Sequence, residues 1–175
     1  MRQLKTYQRS GNKIINTLEE ARSYAESLGE YVYLPNFDKG FQKYLDLREN
    51  LIPRQNMPVL DNKYIYYLKM FLKDMGIGYT VVKVPCDIIH PIQKQIYLDK
   101  AFSNVIDIMF NKTGYSTLIC DYSYNLLDGN HRWLAYMLIN PEKYVEILRI
   151  NRDYQSLIPM LSKYSKVILK EKIRK

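Results

Sequence analysis

The residues best suited to chemistry lie in one short stretch, Leu127-Asp128-Gly129-Asn130-His131-Arg132-Trp133-Leu134-Ala135. An acid, a glycine, an imidazole and a guanidinium are here nearly adjacent. The stretch follows an apolar run, Ser116 to Cys120, and a polar break at Asp121 to Asn125; it precedes a helix-compatible run, Trp133 to Ile139. This order predicts a strand, a tight turn and a helix N-terminus. Such a terminus offers free backbone N–H groups and the positive end of the helix dipole. Gly129 would let the backbone approach a ligand closely. His131 and Arg132 would add donors and positive charge at the same end, an arrangement that suits a phosphate.

Each polar residue has two uses. Asp128 caps the helix through its carboxylate, the commoner role of an Asp in that place, or holds Mg²⁺ beside a bound triphosphate. His131 is a phosphate ligand or a proton-transfer group, or else a satisfied structural histidine. His90, the other histidine of the chain, carries the same alternatives. Lys100 could reach a phosphate from its helix; an exposed lysine is the plainer reading. Arg54 is a candidate basic residue in a segment held between Pro53 and Pro58, and a surface arginine is the plainer reading.

Two motifs carry a family resemblance. Gly129, Arg132 and Ala135 form a G-x-x-R-x-x-A spacing that resembles the G-E-R-R-x-R-A box of ParB-type proteins, and Gly129 with His131-Arg132 is similar to the F-G-G-C-H-R motif of sulfiredoxins. The D-G-x-H-R-W form most resembles ParB-like domains of phage and plasmid proteins. Upstream, Val84-Pro85-Cys86-Asp87-Ile88-Ile89-His90-Pro91-Ile92-Gln93, then Leu98 to Ile106, resembles the family's strand, proline turn and helix. The resemblance spans about Val81 to Ile150. It implies a small mixed sheet flanked by helices, with Arg132, Asn130 and the Gly129 to His131 amides on phosphates and Gln93 against nucleotide or substrate. ATP or another nucleoside triphosphate is the implied cofactor, with Mg²⁺ possible, and His131, Asp128 and His90 are the catalytic candidates.

The resemblance also sorts the activities. Sulfiredoxin chemistry needs the cysteine of its motif, and that position is Asn130 here. Partition proteins carry a helix-turn-helix after the nucleotide domain, and 25 residues follow Ile150, too few for one. A free-serine kinase of similar fold uses an acidic base that finds no clear position here, and small-molecule kinase activity stays open as an alternative. A phage- or mobile-element-type protein that hydrolyses or transfers nucleotide phosphate, or cuts DNA, is the leading expectation. A non-catalytic nucleotide- or protein-binding module is the competitor, since a fold does not fix a function.

The elements that must position these residues follow from periodicity and punctuation. With 175 residues the chain has room for one real core. No run nears the ~20 apolar residues of a membrane helix, and Met1 to Lys5 lacks a signal-peptide core. Cys86 and Cys120 lack metal-ligand spacing and read as reduced, buried thiols of a cytoplasmic protein. The 26 basic residues exceed the 18 acidic ones, and Lys163, Lys166, Lys170, Lys172, Arg174 and Lys175 face only Glu171. That excess fits a polyanion, nucleic acid before membrane, or a solvated tail.

Residues 1–80 read as a mostly helical extension, 81–160 as the ParB/sulfiredoxin-like domain and 161–175 as a basic tail. Met1 to Asn12 is a polar arm. Thr17 and Glu20 fit a capping box for a helix that Gly29 stops. Tyr31 to Leu34 predicts a short strand, and Phe41, Tyr44, Leu45 and Leu51 a helix from about Lys39. Met57 to Val59 could enter a sheet. Asp61 could cap a helix ending at Gly76, Ile77 to Val84 reads as a central strand, and Leu98 to Met109 as a helix closed by Gly114. Tyr115 to Cys120 and Tyr144 to Ile150 predict strands, and Tyr154 to Tyr164 a last helix. Strands alternating with helices point to an α/β or α+β fold with a mixed sheet.

Overall fold

Among the described residues five strands pair into one sheet: β1 (Tyr79–Pro85), β2 (His90–Pro91), β3 (Leu118–Cys120), β4 (Asn125–Asp128) and β5 (Tyr144–Ile150), in the order β1-β5-β3-β4-β2. The computed structural model describes residues 14, 16–27, 34, 36–48, 51–110 and 117–171. β1–β5 and β3–β4 run antiparallel, β3–β5 and β2–β4 parallel. Six α-helices are found among the described residues: α1 (Leu18–Ser27), α2 (Phe37–Leu47), α3 (Ile65–Asp74), α4 (Leu98–Met109), α5 (Asn130–Ile139) and α6 (Tyr154–Lys163). The fold is mixed α and β, a small mixed sheet flanked by helices.

The helices cover both faces of the sheet. Alternate residues of a strand point to opposite sides, and neighbouring Leu126 and Leu127 therefore enter different cores. Leu126 joins Leu118, Cys120, Val145 and Ile147 under α1, α2, α4 and α5. Leu127 joins Ile119, Leu148 and Ile150 under α3 and α6. The first core also holds Phe41 and Tyr44 of α2 beside Trp133 of α5. Gly40 lets these two helices pack closely: a Cβ there would lie 2.9 Å from Leu138 Cδ2 and 3.3 Å from its backbone nitrogen. Trp133 anchors α5. It is fully buried, and its Nε1–H donates to the Cys86 carbonyl at 3.2 Å.

Several elements follow the sequence pattern closely. Glu20 N–H donates to Thr17 Oγ1 at 3.1 Å, half of the expected capping box. The second helix starts slightly earlier than Lys39, α4 carries the expected apolar face from Leu98 to Met109, and β5 has the expected bounds. Cys86 and Cys120 are buried free thiols, and burial pushes the Cys86 thiol up to about 12. No helix among the described residues is long and apolar enough to cross a membrane.

Other expectations are corrected. Among the described residues β1 lies at the edge of the sheet rather than its centre, and Val81 is 45% exposed. Met57 to Val59 stays out of the sheet; Ile52 approaches it instead, bridging to Gln93. Asp121 to Asn125 is a hairpin turn into β4, a strand the pattern did not announce. Asp61 does not cap α3 directly: its Oδ1 accepts from Lys63 N–H at 3.0 Å, in the short 3₁₀ turn before the helix. The start of the basic tail is a built element, because the chain continues from α6 through π-helical turns (Tyr164–Leu169) that bury Tyr164 and Leu169. The expected arm 1–12, the strand residues 31–33 and the stops at Gly29 and Gly114 lie outside the described residues, as does the part of the expected strand at 115–116.

Candidate functional site

The site is built where β4 passes into α5 through a single residue. Gly129 is the N-cap of α5, with φ +99°. A Cβ there would meet Leu118 Cδ2 at 2.5 Å, so both the left-handed backbone and the packing against β3 demand glycine. The first rung of the helix is Trp133 N–H to the Gly129 carbonyl at 2.8 Å. The amides of Asn130, His131 and Arg132 precede that rung and have no carbonyl of their own helix to bond. They border a cavity of about 290 Å³ that Asp128, Gln93 and Arg54 also line.

Positive charge gathers at this cavity. Arg132 is half-buried on its wall. Arg54 reaches it from the segment that crosses between Ile52 and Leu60. The segment is fixed at two points: Ile52 N–H and the Ile52 carbonyl bond around Gln93, and Arg54 N–H donates to Gln95 Oε1 at 2.7 Å. The Arg54 guanidinium lies 5.1 Å from the centre of the Tyr97 ring. Among the described residues neither arginine forms an ion pair. Asn130 is 4% exposed, lines the cavity, and its Oδ1 has no hydrogen-bond partner among the described residues. A buried polar atom left in that state costs free energy unless something fills the cavity and donates to it.

Asp128 does not cap α5, contrary to the commoner expectation. It is the last residue of β4, one position too early, and no side chain caps the helix. Its half-buried carboxyl is pushed up to about 7, first by burial and then by the Asp61 carboxylate, with Arg132 opposing. At neutral pH such a group can give or take a proton. It can equally meet a divalent cation, whose charge would relieve both causes of the shift.

The two histidines part company. His131 lies at the cavity, but its Nε2 accepts Tyr97 N–H at 3.0 Å, and its ring stacks on Tyr97 with centroids 5.8 Å apart. Its proton therefore sits on Nδ1. Burial first, then Arg54 and Lys100, hold the imidazole neutral, down at about 3. The side chain thus caps the start of α4. His90 does not line the cavity. It pairs with Asn125 at the far end of β4 from Asp128, and its environment is Lys43 and Asp121. Burial and Lys43 lower its pKa from the ordinary value, against a smaller pull from Asp121.

Gln93 lines the cavity, is buried, and donates through Nε2 to the Gln95 carbonyl at 2.6 Å. Lys100 stands behind the wall, its ammonium 5.2 Å from the Tyr97 ring centre. The structure thus brings together Asp128, Gly129, Asn130, His131, Arg132 and Gln93, with Lys100 one ring behind and His90 elsewhere.

No family model, no curated protein and no solved structure matches this chain. The site therefore speaks through its own geometry. Among the described residues no group of three or more His, Cys, Asp or Glu gathers to hold a metal by itself. Mg²⁺, which takes one or two carboxylates and completes its shell with phosphate oxygens and water, asks for less, and Asp128, the carboxylate among the lining residues, could supply one. Arg54 is the site residue that periodicity passed over. The signal available was its place between two prolines, Pro53 and Pro58, which restrict the backbone that presents it.

Proposed function

We propose that this chain binds a nucleoside triphosphate through its phosphates at the N-terminus of α5, as a ParB/sulfiredoxin-like protein of the phage and plasmid type. The observation that carries the reading is the convergence on one cavity of Arg132, Arg54 and the three unbonded amides that follow Gly129. Phosphate oxygens would take the amides and the two guanidiniums, the pattern of anion recognition at helix termini. The Asn130 side chain, rotated about its last bond, would present its amide N–H instead of its orphaned oxygen.

Turnover rests on Asp128. As a base it would take the proton of a water or hydroxyl attacking the terminal phosphorus, while the bond to the bridging oxygen breaks and the nucleoside diphosphate leaves. Arg132, Arg54 and the amides would stabilise the charge on the transferring phosphoryl group. Mg²⁺, if held by Asp128, would neutralise the same oxygens. A second reading, a binder without turnover, is favoured by the placement of the histidines: one is spent on α4 and the other stands outside the cavity. A nucleic acid as a further partner is supported by Lys163, Lys166 and Lys170, all exposed along the last helical stretch. Such binding should weaken steeply with salt, and salt-insensitive or absent DNA binding would remove the DNA-cleaving version.

The test is thermal stabilisation by ATP, CTP, GTP and ADP, with and without Mg²⁺, in wild type and Arg132→Ala, followed by phosphate release in wild type and Asp128→Asn. A ligand at 100 times its Kd adds about 2.7 kcal/mol of stability. A shift in wild type that Arg132→Ala loses is expected. No shift with any nucleotide would refute the phosphate site, and turnover unchanged in Asp128→Asn would refute the catalytic role.

A further inference from the structure

A second, larger cavity adjoins the first. It has a volume of about 710 Å³ and runs between the Gln55–Val59 segment and the last helical turns from Ser162 to Lys170. Its chemistry differs from that of the phosphate cavity. Met57, Pro58, Val59 and Leu169 give it apolar walls, while Asn56 and Ser162 place polar groups among them and Lys166 and Lys170 add positive charge. The two cavities share Met57, Pro58 and Val59 as a common wall. Val59 is 75% exposed and still lines both, so their mouths meet over that side chain. An apolar cleft with a few convergent polar groups is the ordinary form of a site for a planar organic group.

We propose that this groove takes the nucleobase and ribose of the nucleotide whose phosphates sit at α5. The inference rests on the proposed phosphate site and extends it. A ligand that crosses the Val59 rim would place its polyanion against Arg132 and Arg54 and its uncharged ring between Pro58 and Leu169. Ser162 and Asn56 would meet the hydrogen-bonding edges of the base. The segment from Arg54 to Val59 would then serve both ends of the ligand, contributing a guanidinium to one cavity and apolar walls to the other.

The experiment compares inorganic tripolyphosphate with ATP, CTP and GTP by calorimetric titration. Wild type is set beside two groove-filling variants, Ser162→Tyr and Asn56→Tyr, each checked for native thermal unfolding. Neither residue touches the phosphate cavity, and Asn56 is exposed, so at least one folded variant is expected. At least one nucleotide should bind about tenfold or more tightly than tripolyphosphate, the scale of one well-packed base. Filling the groove should bring it down to the tripolyphosphate level and leave tripolyphosphate unchanged. Equal binding of nucleotides and tripolyphosphate by wild type would overturn the groove assignment and leave the phosphate site standing. A preference that survives in the folded variants would overturn it as well. Binding of neither ligand class would overturn the proposed function and the groove together.

Discussion

Asp121 opens the hairpin turn before the strand that carries the site, Asp128 ends that strand, and they live in opposite ways. Asp121 is fully buried and fully used: its oxygens accept Ser123 N–H at 2.9 Å, Asn125 N–H at 2.8 Å, Asn125 Nδ2 at 3.0 Å and Tyr154 N–H at 2.9 Å. It closes the hairpin and ties it to the start of α6. Asp128 accepts no hydrogen bond among the described residues, stands half-buried at a cavity, and is pushed up to about 7. Burial with full satisfaction makes a carboxylate architectural. Burial without it leaves a group whose charge waits for a proton, a cation or a ligand.

The largest effect should come from the satisfied end. Asp121→Ala would leave part-buried donors from three residues without their acceptor, and should cost about 3 kcal/mol or more in denaturant unfolding. A loss below about 1 kcal/mol would mean that the hairpin does not depend on this carboxylate. At the other end Gly129→Val should cost about 2 to 4 kcal/mol, from the left-handed backbone and the collision with Leu118. A near-neutral result would require a different path from β4 into α5.

His131→Ala comes next, at about 1 to 2 kcal/mol for the lost cap on α4 and the lost ring contact. Its pH dependence has a definite sign. Folding holds this imidazole at about 3, below its ordinary 6.5, so its contribution is complete above pH 6.5 and falls away as pH drops toward 3. The variant should lose that part of the acid sensitivity, and an unchanged acid limb in urea titrations would contradict the assignment. The smallest effect is at Asp128. Its folded pKa is raised, so the stability it lends is complete below about pH 4 and is lost as pH rises through about 7. Asp128→Asn should therefore be the more stable protein at pH 8, by on the order of 1 kcal/mol after screening by water at a half-buried group, and show no such gain at pH 4. Wild type more stable than the variant at pH 8 would mean that the carboxylate is satisfied after all.

Sequence pattern reached the elements with long apolar periods. Leu98, Phe102, Val105 and Met109 recur at helical spacing, and α4 occupies the expected residues. The turn at Gly129 was legible because one glycine sits between an apolar pair and a helix-compatible run. β4 was not, since four residues are too few to show alternation, and Leu126 and Leu127 are both buried under opposite layers of helices. β1 looked central because it is β-rich, yet its neighbour on one side is absent from the described sheet. At the site, residue type identified who is present and contact decided the role. His131 reads as a ligand or a structural histidine until Tyr97 N–H is seen to occupy it, and Arg54 is exposed as a surface arginine should be, yet it also lines the cavity.

The most direct test of the central claim is a backbone amide NMR titration with the nucleoside triphosphate that stabilises the protein most. If phosphates dock on α5, the largest shifts will fall on the amides of Asn130, His131 and Arg132 and on the Asn130 side chain, with Ser123 and Tyr154 around Asp121 unmoved. Shifts confined to the surface around Lys163, Lys166 and Lys170, or none at all, would contradict a phosphate site at the helix N-terminus.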